Sequence, residues 1–452
     1  MTCPAPSTAT PLPLEGIRVI DFTWIHAGPS ATRILADQGA QVIKIESSQA
    51  LSIAGGPVPR TTIGVGQRHN WNAGKLSVTL NMRTPGGLEL AKRLVRISDV
   101  VAENFSSRVM PAWGMDYSSL RKIKPDIIML SMSAMGRTGV WKEYVSYGQT
   151  LQAWSGFTEL TGFPKTDPSG PASAYSDATG GMAGAQGVLL ALLHRTRTGR
   201  GQMVDISQFE TMSSLLGPLF LELTVNKKAD AIQRGGNRLP HSTAAPHGAY
   251  RCRGDERWVA ITVFTEDEWL AFVDAVGNPP WCQKPEFATA EARHRHADAL
   301  DPLVESWTRQ HTAEEVMRLL QDAGVAAGVV QTGRDLVDND PQLRDRGFYR
   351  RIPGSVPDWF MSTGDAIPGV PGPIATGEGG GPGDGAPNAS RTGGHVPATV
   401  TVEGPPYRLS ASNGGPRQGG PTLGQHQNLV LKELLGLSDE EIAEHAINGV
   451  FE

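Results

Sequence analysis

Along the first third of the chain, short runs of alternating apolar residues are each followed by a stretch with helical spacing. Gly16-Ile-Arg-Val-Ile-Asp-Phe-Thr23 reads as a strand and His26-Ala-Gly-Pro-Ser30 as a turn. Ser30 is placed to cap a short helix over 31–38, which Gly39 stops before a second strand over 41–46. The unit recurs, with a strand over 76–80, Thr84 capping a helix over 87–98, and a strand over 99–104. A further strand follows over 126–132. Strands alternating with helices of this length predict an α/β fold with a parallel sheet and helices on both faces.

Beyond residue 180 the pattern is a long helix over 182–194, apolar almost all round. It closes in Arg195-Thr-Arg-Thr-Gly199, with cations in the last turn and glycine beyond, as helix C-termini favour. A strand over 203–207 and a helix over 209–225 come next. From Gly248 the elements change to short strands (249–252, 258–263) and helices (266–276, 313–323), an α+β pattern. The stretch 356–396 is dense in glycine and proline, a composition that buries too little apolar area to offset chain entropy. Helical spacing returns over 427–435 and 438–447. These shifts divide the chain into a disordered N-terminus (1–14), a large Rossmann-like domain (15–225), a linker (226–245) and a small α+β domain (246–345). A Gly/Pro-rich linker (346–400) and a C-terminal segment (401–452) complete it.

Composition narrows the function class. A length of 452 residues suggests two or three domains, and a net charge of −5 forces no basic face for nucleic acid. Three cysteines, unclustered and odd in number, point to a reducing compartment and against a thiolate metal site. Residues 1–14 have neither a cationic start nor an apolar core, so a signal peptide is not expected. No run is long enough to span a membrane, and the expected location is the cytoplasm. Asn388-Ala-Ser390 then has no glycosylation role. Glu378-Gly-Gly-Gly-Pro-Gly383 neither follows a strand nor opens a helix, unlike a phosphate cradle. The opening β-α-β unit lacks the glycine spacing of a dinucleotide site. His241, His247, His294 and His296 lack the spacing of zinc ligands, so no metal is expected.

The candidate chemistry centres on Pro171-Ala-Ser-Ala-Tyr-Ser-Asp177-Ala-Thr-Gly180-Gly181, where small residues surround one carboxylate ahead of the long helix. Such an aspartate is either a helix N-cap or a nucleophile. Four segments, read in order, resemble the family III CoA-transferases, the group that contains formyl-CoA transferase, carnitine CoA-transferase and the α-methylacyl-CoA racemases. They are Gly16 to Thr23 with His26-Ala27-Gly-Pro and Gly39 to Glu46; Asn72-Ala-Gly-Lys75 to Leu80; Ala102-Glu-Asn104-Phe105-Ser-Ser-Arg108; and Asp177-Ala-Thr-Gly180-Gly with Ala191 to Gln202. The likeness covers about 15–350 and returns near Leu423-Gly424-Gln-His426.

The resemblance implies a Rossmann-like large domain that binds CoA, a small domain, and two subunits interlocked as rings, with the C-terminal segment rejoining the large domain. The second subunit is an identical or a homologous chain. The resemblance makes Asp177 the nucleophile that takes the acyl group of a donor such as succinyl-CoA as a mixed anhydride, then takes CoA as a thioester, and finally passes CoA to a carboxylic acid. Acyl-CoA is a substrate, and no cofactor is held tightly. His26, Ala27, Asn72, Lys75, Asn104, Phe105 and Arg108 match its CoA-binding positions, with Lys75 as the phosphate partner. Tyr147, Gly148, Gly180 and His247 fall at substrate or oxyanion positions. Three departures stand out. His26 replaces the glutamine of formyl-CoA transferase, and Ser47 stands in place of an arginine that contacts CoA. Tyr147-Gly148 takes the place of the racemases' proton-moving histidine, and a phenol is a weak base at neutral pH. That argues against a racemase, and the presence of Asp177 argues against a non-catalytic partner subunit. The stretch 242–248 aligns with a glycine-rich flap but holds few glycines. Trp24 and Trp154 fit either core packing or a bulky or aromatic acceptor.

Overall fold

The computed structural model describes residues 10–47, 62–227, 234–239, 242–357 and 395–451. Strands β1 (Arg18–Asp21), β2 (Gln41–Glu46), β3 (Leu76–Thr79), β4 (Val100–Glu103), β5 (Ile128–Ser133) and β6 (Met203–Ser207) form one sheet, every pair parallel, in the order β3-β2-β1-β4-β5-β6. Both faces of these strands are apolar. Ile20, Ile43, Val78 and Val101 pack with the Pro85–Arg96 helix on one side. Val19, Val42, Val100 and Leu130 pack with the Ala27–Asp37 and Tyr175–Thr198 helices on the other. The direction of winding reverses between β1 and β4, so the loops leaving these two strands diverge. In a doubly wound sheet that divergence opens a crevice at the carboxyl ends of the strands.

The chain separates into two units, each described by itself. The first comprises 1–157, 171–217 and 345–452, and the second 158–170 and 218–344. In the first, the C-terminal segment covers the open edge of β3. His426 donates its N–H to Ser77 O at 2.9 Å, and Gln427 Oε1 accepts from Thr79 N–H at 2.9 Å. An edge left bare would invite pairing with another chain. The second unit is built on a three-stranded antiparallel sheet of β7 (His247–Arg251), β8 (Trp258–Thr262) and β9 (Ala326–Val329). Phe272, Phe287, Leu300, Val304 and Val316 form its core.

Several local expectations are corrected. The first helix begins at Ala27, with His26 and not Ser30 at its cap, because the turn tightens one residue after Ile25. The helix expected over 182–194 runs from Tyr175 to Thr198 with Ala174 at its cap. Its first turn is polar and small and therefore carries no apolar period. Asp177 is thus the third residue inside this helix and not its N-cap. The helix expected over 209–225 is two, Gln208–Ser214 and Gly217–Thr224, interrupted before Gly217. A helix over Thr62–Asn72 was not anticipated. Where described, the expected linker 346–400 contains an antiparallel ribbon of β10 (Tyr349–Pro357) and β11 (His395–Glu403). Residues 358–394, with the Glu378 glycine run and Asn388, lie outside the described residues, as do 1–9 and His241.

Glycines set the approach of the Tyr175–Thr198 helix to its neighbours. A Cβ at Gly181 would lie 2.9 Å from Ser30 Cβ and 3.0 Å from the backbone oxygen of Ala27, so the two helices meet backbone to backbone. Gly181→Val should therefore separate the two helix starts and destabilise the first unit by roughly 1–3 kcal/mol, the usual range for overpacking. A lowered urea midpoint at unchanged slope is the expected result.

Candidate active site

The loop that follows β1 carries the first half of the site and is held in place by buried charge. Asp21 and Lys75 are both fully buried and pair at 3.0 Å; Lys75 Nζ also donates to Pro29 O at 2.9 Å and to Asn72 Oδ1 at 3.1 Å. Asp21 accepts from Thr23 N–H at 2.9 Å and from the Thr32 hydroxyl at 2.8 Å, and Lys44 Nζ donates to Thr23 O at 2.6 Å. Burial works against the Asp21 carboxylate, yet Lys75, Lys44 and two hydroxyls outweigh it and hold its pKa below the ordinary range. Lys75 and Asn72 therefore serve inside the sheet's end layer and do not face open space. Downstream, Asn104 at the end of β4 accepts from Trp24 N–H and donates to Trp24 O, each at 2.9 Å. Between these two anchors Ile25 has φ +64°, a left-handed conformation that a β-branched residue adopts only under constraint.

This strained turn delivers His26 and Ala27 to the crevice between β1 and β4. There they meet Asp177, Tyr147 and Gly148 around a cavity of about 200 Å³, with Trp24, Asn104 and Phe105 on one wall and Tyr144, Val145 and Leu151 also lining it. Side-chain exposure is 16% for Asp177 and 18% for His26. The His26 ring stacks on Trp71 with centroids 4.3 Å apart, and its Nδ1 lies 3.8 Å from Asp177 Oδ2, too far for a hydrogen bond. Burial lowers the His26 pKa, against the pull of Glu403, so the ring is neutral at physiological pH.

No donor among the described residues lies within hydrogen-bond distance of the Asp177 carboxylate. Its position near a helix N-terminus favours the anion, but only by about 0.3–1 kcal/mol. Burial dominates and raises its pKa to about 6. Gly148 makes room for it, since a Cβ there would lie 2.8 Å from Asp177 Oδ2. The result is a carboxylate that is ionised at neutral pH yet sparsely solvated, the state in which it attacks best. Ala27 and Gly28 open an eleven-residue helix, whose first N–H groups lack intrahelical partners and can meet a developing oxyanion.

The remaining candidates are placed differently. Gly180 is buried in the Asp177 helix, where an added Cβ would press on Gln208 at 3.0 Å. Arg108 is largely exposed, with its Nε 3.6 Å from Glu143. His247 belongs to the second unit, where its Nδ1 lies 2.5 Å from Asn237 O. Gln208 was not anticipated. It lines the cavity at the end of β6, its Nε2 donates to Met132 O at 3.3 Å, and its buried Oε1 has no partner. The signal for it was its place just after a strand, where doubly wound sheets carry their ligands. Among the described residues no group of histidine, cysteine, aspartate and glutamate could hold a metal ion, and no helix is long and apolar enough to cross a membrane.

With this geometry in hand, comparison with known proteins is decisive. The description of CoA-transferase family III matches residues 14–368. The chain belongs to this family. It is 30% identical to the succinyl-CoA–D-citramalate CoA-transferase of Chloroflexus aurantiacus over 97% of this chain and 98% of that one. It is 29% identical to the succinate–glutarate CoA-transferase of Agrobacterium fabrum over 80% and 89% of the two chains, and 26% identical to the formyl-CoA:oxalate CoA-transferase of Rhodopseudomonas palustris over 95% of each. A solved CAIB/BAIF family protein from Brucella suis superposes with a TM-score of 0.77 at 28% identity, covering 94% of this chain and 99% of that one. The protein is thus a family III CoA-transferase, and CoA thioesters are its substrates.

Two outcomes follow for this CoA-transferase. Lys75→Met removes the ion-pair partner of the buried Asp21 carboxylate and should cost about 3–5 kcal/mol, read as a lowered denaturant midpoint. For Asp177, the folded pKa of about 6 lies above the ordinary 3.8, so the native state binds the proton more tightly between these values. Stability falls as pH rises from about 4 to about 6, and the loss of up to roughly 3 kcal/mol persists above that. Asp177→Asn should therefore raise the melting temperature at pH 7.5 and leave it nearly unchanged at pH 4. The acid limb of wild-type kcat/KM should fall near pH 6.

Proposed function

We propose that this CoA-transferase moves CoA from an acyl-CoA donor such as succinyl-CoA to a carboxylic acid through covalent intermediates on Asp177. The observation that carries the reading is the Asp177 carboxylate itself: buried, without a donor, and facing a cavity at the switch point of the sheet. In the first step an Asp177 oxygen attacks the donor's thioester carbonyl. The C–S bond breaks, CoA leaves as the thiolate, and an aspartyl mixed anhydride remains. The thiolate then attacks the Asp177 carbonyl, releasing the donor's acid as its carboxylate and leaving an aspartyl-CoA thioester. The acceptor carboxylate repeats both exchanges in reverse and departs as its CoA ester, restoring Asp177. One thioester replaces another, so no external energy is needed.

Proximity supplies most of the acceleration, since well-oriented intramolecular partners reach effective molarities on the order of 10⁵ M or more. Tetrahedral oxyanions are met by the N–H groups of Ala27 and Gly28 and by the neutral His26 ring. Ala27, Asn104 and Phe105 flank the thioester end of CoA, and Arg108 reaches its phosphates in place of the buried Lys75. Tyr147 and Gly148 bound the acyl side, while Gly180 sets the distance to Gln208.

The working enzyme has two chains, interlocked and identical or homologous. Met182, Leu189, Leu190 and Leu193 are exposed along the Asp177 helix and form an apolar stripe suited to a second chain. Relatives from Chloroflexus aurantiacus that are 30% identical carry the names beta subunit and alpha subunit of a succinyl-CoA–L-malate CoA-transferase. Cys252 and Cys282 are free and buried, in keeping with a reducing, cytoplasmic setting.

Labelled succinate should exchange into succinyl-CoA with no other acceptor present, and two-substrate kinetics should give the parallel lines of a ping-pong enzyme. Asp177→Ala should lower exchange by at least about 10³-fold while the fold is retained. Exchange by that variant at a near wild-type rate would sink the mechanism.

A further inference from the structure

We propose that the acceptor is an arylalkanoic acid, a monocarboxylate whose planar ring lies against Trp141, Tyr144 and Trp154 while its carboxylate faces Asp177; this rests on the transferase reading above. The three rings form an open stack. Trp141 and Trp154 are 6.1 Å apart and within 3° of parallel, and Tyr144 lies 6.2 Å from Trp141 and 5.8 Å from Trp154 at 17° and 20°. Each is 42–50% exposed, which leaves three large, nearly parallel rings in contact with water. Apolar patches of this kind on a soluble protein mark binding surfaces.

Continuity with the catalytic cavity selects the occupant. Tyr144 and Val145 line that cavity together with Asp177, and Trp141 packs edge-on against Phe209, the neighbour of the cavity-lining Gln208. Trp24 and Phe105 also line the cavity, with centroids 5.9 Å apart. A substrate that reaches from Asp177 toward the stack therefore runs along a cavity lined with aromatic rings. Adenine is a poor candidate for this place, because the pantetheine and pyrophosphate arm separates it from the reacting sulfur.

Charge points the same way. A dicarboxylate acceptor calls for a guanidinium or similar partner for its second carboxylate. Among the described residues Lys142 is the lone lysine or arginine lining the cavity, and its exposed ammonium offers a point charge in place of the bidentate fork of a guanidinium. Of the arginines near it in sequence, Arg137 is committed to the buried Glu103, and Arg108 lies beside Glu143. Rings recognise a ring by offset stacking and edge contacts and need no such partner.

The test compares 3-phenylpropanoate and phenylacetate with butanoate, glutarate, L-malate and D-citramalate as acceptors, with succinyl-CoA and acetyl-CoA as donors. The arylalkanoates should show kcat/KM at least about tenfold above the aliphatic acids. Trp154→Leu, and Trp141→Leu as a second variant, should lower that selectivity about tenfold and leave the KM for the CoA donor unchanged. Equal or better use of aliphatic acids overturns the proposal, as does a raised donor KM in the variants, which would assign the stack to CoA. A change of sedimentation in the variants would assign it to a second chain and likewise overturns it. Labelled-succinate exchange, run alongside, reports the transferase reading separately. If exchange is absent, saturable quenching of tryptophan fluorescence by 3-phenylpropanoate in the wild type, lost in Trp154→Leu, still supports the ring site, and no quenching removes it.

Discussion

The close approach of two helices, backbone against backbone at Gly181 and Ala27, shapes the surroundings of Asp177 in this CoA-transferase. It brings the first turn of the Asp177 helix over the crevice between β1 and β4 and strips the carboxylate of water without supplying a donor. A carboxylate so placed has a raised pKa and destabilises the folded chain at neutral pH. Such a cost is tolerated where function requires it. The rest of the first unit holds that arrangement. The Asp21–Lys75 pair and the Asn104 amide pin the turn on either side of Ile25, and that turn carries His26 to within 3.8 Å of Asp177.

The division of labour between charged groups is instructive. The buried lysines of this region, Lys75 and Lys44, hold up the scaffold, and the groups that face the cavity are mostly neutral or apolar. A site for exchanging one thioester for another gains little from fixed charge near the reacting carbonyl. It gains from exclusion of water, because the anhydride and the enzyme thioester of the proposed mechanism would both be open to hydrolysis. Trp24, Phe105 and Leu151, side chains of the first unit that line the cavity, contribute to that exclusion.

Much of this was legible in the chain. The alternation of apolar runs and helical stretches up to residue 132 predicted the parallel sheet, because strands covered on both faces leave a strong periodic signal. Asp177 could be singled out because small residues and a long helix frame it, and because three other motifs precede it in order. The start of its helix was not legible, since Tyr175 and Ser176 interrupt the apolar period and serine or aspartate in such a place reads as a cap. Lys75 follows Asn-Ala-Gly and looks like a solvated turn lysine. Its partner Asp21 is 54 residues away at the end of a strand two places along the sheet, a pairing that only the three-dimensional arrangement reveals. The left-handed Ile25 leaves no trace in composition, because β-branched residues ordinarily avoid that conformation. Gln208 and the Trp141–Tyr144–Trp154 stack come from a strand end and from segments whose proximity depends on the crevice.

Mass spectrometry of the acid-quenched enzyme, after brief exposure to succinyl-CoA and protease digestion, tests the central claim most directly. The account predicts that the peptide containing Asp177 gains the mass of CoA less one water, and that hydroxylamine removes the adduct to leave a hydroxamate at Asp177. An adduct on any other side chain, or an active enzyme in which no adduct forms, would contradict it.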